Sequence, residues 1–298
     1  MGDTAASVLA RLKNKAAESG RSYQLCLQLF CQEEFLRRLE KSKYSENLVL
    51  KGGLFIYSVT NFSSRVTADV DFLLRRIPNT PEKLRAMLEE IISASTENDF
   101  VIFEIKKTEP ISVTKKYPGI SASLIARIKN TRTPVNIDFG VGDVIVPGLE
   151  RRKIPTQLDG FTAPMVNTYS LETTIAEKLD AILYLMELST RMKDYYDIFF
   201  LADRFEFDGA TLSDALRETF RNREHEFLIE DFRHVMTFSD DETMRSKWRA
   251  FCNKINIQDE DYGVVLETIN RFLSPPYEAI YRDCGFSGHW SIDKKDWI

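Results

Sequence analysis

The chain has 298 residues, long enough for two domains with a large buried core, and its 43% apolar and 11% aromatic content excludes a disordered protein. A formal net charge of −5 excludes a surface coated for general nucleic-acid binding. No apolar run approaches the ~18 residues that cross a bilayer, the N-terminus lacks a secretory pattern, and Cys26, Cys31, Cys252 and Cys284 show no metal-ligand spacing, so a cytoplasmic location with reduced thiols is expected.

In chain order, residues 4–19 and 21–42 read as helices, the second apolar enough to cover a sheet face. Residues 48–50 are an apolar strand that stops at Gly52-Gly53, and Leu54, Phe55, Val59 and Phe62 follow at helical spacing. Residues 68–74 form a second strand in which Asp69 and Asp71, two apart, point to one face while Val70 and Phe72 point to the other. Thr80 is the expected N-cap, with Pro81 at the first position, of a helix running to about residue 95. Three β-rich runs, 101–106, 121–128 and 135–141, suggest an antiparallel or mixed extension of the sheet. The last carries a lone carboxylate, Asp138, on an apolar strand; an exposed alternating position accounts for it as well as a third active-site carboxylate does. Asp143 sits in a Gly-x-Gly-Asp turn and is the alternative third carboxylate.

Residues 100–160 carry ten Lys/Arg against six Asp/Glu, a local excess that suits either a polyanion or a guarded sheet edge. Proline, glycine and basic residues across 147–164 read as a linker. Beyond it the chain is helical. Ser170 caps a helix with Lys178 beside its apolar stripe, Ser189-Thr190 breaks it, and Arg191, Asp194 and Asp197 follow at i, i+3 and i+6, the spacing of exposed salt-bridged residues. Later stripes lie at 212–220, 244–255 and 264–273, with Pro275-Pro276 ending the last. Trp290 and Trp297 either pack back or form a contact surface.

A glycine turn opening a helix exposes backbone N–H groups that suit phosphate. Two carboxylates converging on one point repel unless a cation lies between them, and Mg²⁺ takes one or two carboxylates plus substrate phosphates. Strand, Gly-Gly, helix, strand, Asp-x-Asp in that order therefore reads as a metal-dependent phosphoryl- or nucleotidyl-transfer site.

Gly52-Gly53 followed by Arg65-x-Thr67-x-Asp69-Val70-Asp71-Phe72, then Ala176-Glu177-Lys178-Leu179 and Arg191-x-Lys193-Asp194-x-x-Asp197, resembles the AbiEii branch of the polymerase-beta-like nucleotidyltransferases. The gap from Gly53 to Asp69 is longer than that superfamily's commonest spacing. The resemblance implies a mixed α/β nucleotidyltransferase domain over 1–160 and a helical domain over 161–298 that closes the nucleotide cleft. It implies an NTP co-substrate, Mg²⁺ on Asp69, Asp71 and Asp138, and nucleotide contacts from Gly52, Gly53, Arg65, Thr67, Lys178 and Arg191, with Asp194 essential. It further implies a toxin of a toxin–antitoxin or abortive-infection system, acting on RNA at the tRNA acceptor end, with a cognate antitoxin. Transfer to a small molecule or a protein, or a catalytically dead nucleotide-binding module, are the alternatives.

Overall fold

The computed structural model describes residues 4–111, 119–226, 228–257 and 260–298. It divides into two units, one running up to Gly142 with Glu150–Thr168, the other comprising Asp143–Leu149 with Tyr169–Ile298.

The first unit begins with helices α1 (Thr4–Ser19) and α2 (Tyr23–Lys41) and continues β1 (Leu48–Lys51), α3 (Gly52–Val59), β2 (Asp69–Leu74), α4 (Pro81–Ser93), β3 (Val101–Pro110), β4 (Ile120–Ile128), β5 (Thr131–Gly140), β6 (Glu150–Lys153) and β7 (Met165–Thr168). The strands form one mixed α/β sheet in the order β3-β4-β5-β2-β1-β7-β6. β3, β4 and β5 are antiparallel, whereas β5–β2 and β1–β7 are parallel. Alternation builds its core. Val70 and Phe72 on β2 and Ile137 and Phe139 on β5 are fully buried on one face, where Phe35 of α2 packs on Phe72 and Phe103 at ring separations of 6.2 and 6.3 Å.

Two expectations for this unit need correction. The 147–164 stretch is not simply a linker, because Glu150–Lys153 pairs antiparallel with Met165–Thr168 as an edge strand; four residues with three basic side chains give no alternating apolar pattern to read. Helix α2 is also more than an apolar cover. Glu33, Glu34, Arg37 and Arg38 are buried in it, and Glu34 accepts from Thr96 and Asn98, both at 2.6 Å, as well as from Arg37 and Arg38. Thr96 and Asn98 lie over sixty residues away in sequence. Lys115 and Lys116 lie outside the described residues.

The second unit holds α5 (Leu171–Leu185), α6 (Met192–Ala202), β8 (Phe207–Asp208), α7 (Gly209–Asn222), α8 (Ile229–Met236), α9 (Glu242–Ile255), α10 (Tyr262–Tyr281), β9 (His289–Ser291) and β10 (Asp296–Trp297). Helix α10 runs through Pro275 and Pro276 instead of stopping there. A proline at 276 has no N–H for the carbonyl four residues back, and the indole N–H of Trp297 donates to that carbonyl, Phe272 O, at 2.9 Å. Trp290 is buried and donates to Ala202 O at 2.7 Å, so both tryptophans pack back. Among the described residues no helix is long and apolar enough to cross a membrane.

Candidate active site

The carboxylates of the first unit are brought together by strand register. β2 and β5 run parallel with Asp71 opposite Asp138 and Asp69 opposite Asn136. Paired residues share a face, as do residues two apart on a strand, so Asp69, Asp71 and Asp138 all stand on the face opposite Phe72 and Phe139. Asp69 is exposed, and Asp71 and Asp138 are half-buried. Asn136 Nδ2 lies 3.5 Å from Asp69 Oδ1. The peptide just before Asp69 is fixed from α2, where the buried Gln28 and Gln32 side chains donate to Ala68 O at 2.8 and 2.6 Å.

The glycine turn meets these carboxylates directly. Gly52 has φ +66° and starts α3, a conformation that side chains resist. A Cβ there would collide with the Asp71 carboxylate, and one on Gly53 would stand 2.9 Å from Thr67 Cβ and 3.0 Å from its Oγ1. Thr67 Oγ1 is 3.4 Å from Asp69 O, and Arg65 is half-buried in the same connection. Among the described residues no group of three or more His, Cys, Asp or Glu side chains is placed to hold a metal ion. The oxygen-only donors of Asp69 and Asp71 are of the kind that suits a hard divalent cation, which is held by few carboxylates and completed by substrate phosphates.

The second unit carries a different constellation. Lys178 Nζ donates to Asp194 Oδ1 at 3.0 Å and Asp197 Oδ2 at 2.6 Å, and Arg191 Nε donates to Asp194 Oδ2 at 2.6 Å. Spacing on one helix suggested an exposed Asp194, but its side chain is 0% exposed, because α5 delivers Lys178 onto that face of α6. Burial alone would raise the Asp194 carboxyl, yet the Lys178 and Arg191 charges hold it below its ordinary value. Asp143 also belongs here. It accepts from Tyr169 Oη at 3.1 Å and from Arg223 Nη2 at 3.2 Å, and Arg223 also reaches Glu177 and Asp180. Asp138 is therefore the carboxylate that the sheet pairs with Asp71, and Asp143 is an ion-network residue rather than a turn residue.

A family model described as the nucleotidyl transferase AbiEii toxin of type IV toxin–antitoxin systems matches residues 34–282. The chain belongs to that family. It is thus a nucleotidyltransferase toxin, and the type IV system implies an NTP substrate and an antitoxin partner. No curated protein sequence matches it. Two solved structures resemble the AbiEii chain at 16% identity and TM-score 0.48. JHP933 from Helicobacter pylori covers 85% of this chain and 96% of its own, and a candidate nucleotidyltransferase from H. pylori covers 82% and 96%.

Sequence reasoning gave no role to five residues that the geometry brings in. Asp197, fully buried against Lys178, was visible as a helix-spaced acid and as the last residue of the family-like motif, with no role of its own. Arg223 and Tyr169 gave no local signal, since their partners come from α5 and from the 143–149 segment. Gln28 and Gln32, spaced i and i+4, share one helix face, but nothing in the sequence aims that face at Ala68.

Proposed function

We propose that this AbiEii nucleotidyltransferase uses Mg²⁺ to transfer an NMP from an NTP to an RNA hydroxyl, at the tRNA 3′ acceptor end. It would act in the cytoplasm as the toxin of an abortive-infection system checked by its antitoxin. The observation that supports this best is the register placing Asp138 opposite Asp71, with Asp69 on the same face and Gly52 against Asp71. Asp69 and Asp71, with Asp138, would hold the cation, which when bound neutralises charge between the triphosphate and the attacking hydroxyl. The bare start of α3 offers backbone N–H groups to phosphate. Asp138 takes the hydroxyl proton as the acceptor oxygen bonds to the α-phosphorus and pyrophosphate leaves. Arg65, Thr67, Lys178 and Arg191 contact the nucleotide, and Asp194 orients Lys178.

A second reading, transfer to a small molecule or a protein, is favoured by one observation: Lys106 and Lys107 are paired with Glu104 and Glu109 and so offer little free charge to RNA. The test is incubation with each labelled NTP, Mg²⁺ and total RNA, beside Asp71→Asn. Label entering RNA with wild type alone supports the proposal. Label entering protein or a small product overturns the RNA acceptor, and label retained with Asp71→Asn overturns the site.

A further inference from the structure

The basic middle of the sequence separates into two sheet edges that differ. On edge strand β3, Lys106 pairs with Glu104 and Lys107 with Glu109, and Arg127 of β4 adds a 3.0 Å contact to Glu104. On the opposite edge strand, β6, Arg152 pairs with Glu150 at 2.5 Å, while Arg151 and Lys153 point to the other face. Both are exposed, and neither has an ion-pair partner among the described residues.

Register fixes which face that is. Asp71 lies opposite Lys51 across β2–β1, Val49 lies opposite Asn167 across β1–β7, and Asn167 lies opposite Arg151 across β7–β6. Facing residues and residues two apart share a side. Arg151 and Lys153 therefore stand on the same side of the sheet as Asp69, Asp71 and Asp138, three strands from β2, or about 14 Å across at ~4.8 Å per strand, and four strands from β5. The charge balance of the units agrees. The first carries 24 Lys/Arg against 18 Asp/Glu, the second 16 against 27, so a polyanion is drawn to the first.

We infer that Arg151 and Lys153 form a phosphate track that holds the backbone of the acceptor RNA as its end reaches the carboxylates. The inference rests on the RNA reading above. Cations on an edge strand also discourage edge-to-edge pairing, and that role predicts aggregation rather than a changed salt dependence.

The experiment measures binding of a short fluorescein-labelled single-stranded RNA against salt concentration. It compares wild type, Arg151→Gln/Lys153→Gln and the charge-matched Lys106→Gln/Lys107→Gln, with melting temperature and elution volume as folding controls. Each single-strand phosphate contact contributes about 0.7 to the slope of log affinity against log salt. The β6 pair should flatten the slope by about 1–1.5 and the β3 pair by less than half of that, with Arg151→Lys/Lys153→Arg restoring it. An unchanged slope in a folded, monodisperse β6 variant, or equal flattening by both pairs, overturns the track while leaving RNA as substrate. Salt-independent or absent binding by wild type removes the RNA reading and the track together.

Discussion

The Asp71 carboxylate fills the space that a β-carbon on Gly52 would need. Glycine at 52 is thus required twice, by its φ of +66° and by this contact. Gly52→Ala should cost roughly 1–2 kcal/mol of stability from the left-handed conformation. It should cost far more in activity, because Asp71 must move away from its place opposite Asp138. A variant with a modestly lowered melting temperature and nucleotidyl transfer reduced on the order of 10²-fold or more is the expected result; unaltered transfer would separate the turn from the chemistry.

Asp69→Asn, Asp71→Asn and Asp138→Asn should each fold, since the three side chains are exposed or half-buried and none belongs to the apolar face. If Asp69 and Asp71 hold the cation as proposed, their loss should lower transfer on the order of 10³-fold. Asp138→Asn should also depress the rate at saturating NTP. Steady-state rates with melting curves check this, and normal turnover by any of the three removes that residue from the site.

The pattern of what the sequence revealed follows from the range of each interaction. The Asp69–Asp71 pair was legible because two-residue periodicity is local. Asp138 was legible only as an odd carboxylate on an apolar strand, since a parallel pairing between β2 and β5 is set by tertiary packing. Lys178 read as lying beside a stripe and Asp194 as exposed, because each helix alone gives no sign of the other. The two prolines in α10 misled for the same reason: the N–H that serves Phe272 O comes from Trp297, twenty-five residues later.

That last contact is separately testable. Trp297→Phe keeps an aromatic ring stacked near Phe272, whose centroid lies 5.9 Å away, but removes the donor. It should cost about 1–3 kcal/mol, the usual consequence of leaving a carbonyl without its hydrogen bond. Urea denaturation beside wild type checks it, and an unchanged midpoint would mean that solvent serves the carbonyl equally well.

The Lys178 cluster predicts a pH dependence with a definite sign. Asp194 is held below its ordinary value of 3.8 in the folded chain, chiefly against burial and through Lys178 and Arg191. Its native pKa is depressed, so its contribution to stability is full above 3.8 and is lost as pH falls through the lower native value. Asp194→Asn should therefore be less stable than wild type by about 3 kcal/mol near neutrality, as expected when one member of a buried ion pair is removed. The gap should narrow at acid pH. Denaturation midpoints across pH measure it, and a gap independent of pH would show that Asp194 acts by packing alone.

Growth arrest joins these structural statements to the family's activity. Expressed in a host without a cognate antitoxin, wild type should stop growth, and Asp71→Asn should not, at equal soluble yield. Asp194 discriminates more finely. Because it is buried on Lys178, Asp194→Ala would confuse lost folding with lost chemistry, whereas Asp194→Asn keeps the shape and removes the charge. If Asp194 only props the helices, Asp194→Asn protein that remains folded at the growth temperature should still arrest growth. If it orients Lys178 toward the nucleotide, the folded variant should be harmless, with a raised KM for NTP in vitro. Arrest by a folded Asp194→Asn protein with wild-type KM would return the Lys178 cluster to architecture and leave the chemistry to Asp69, Asp71 and Asp138.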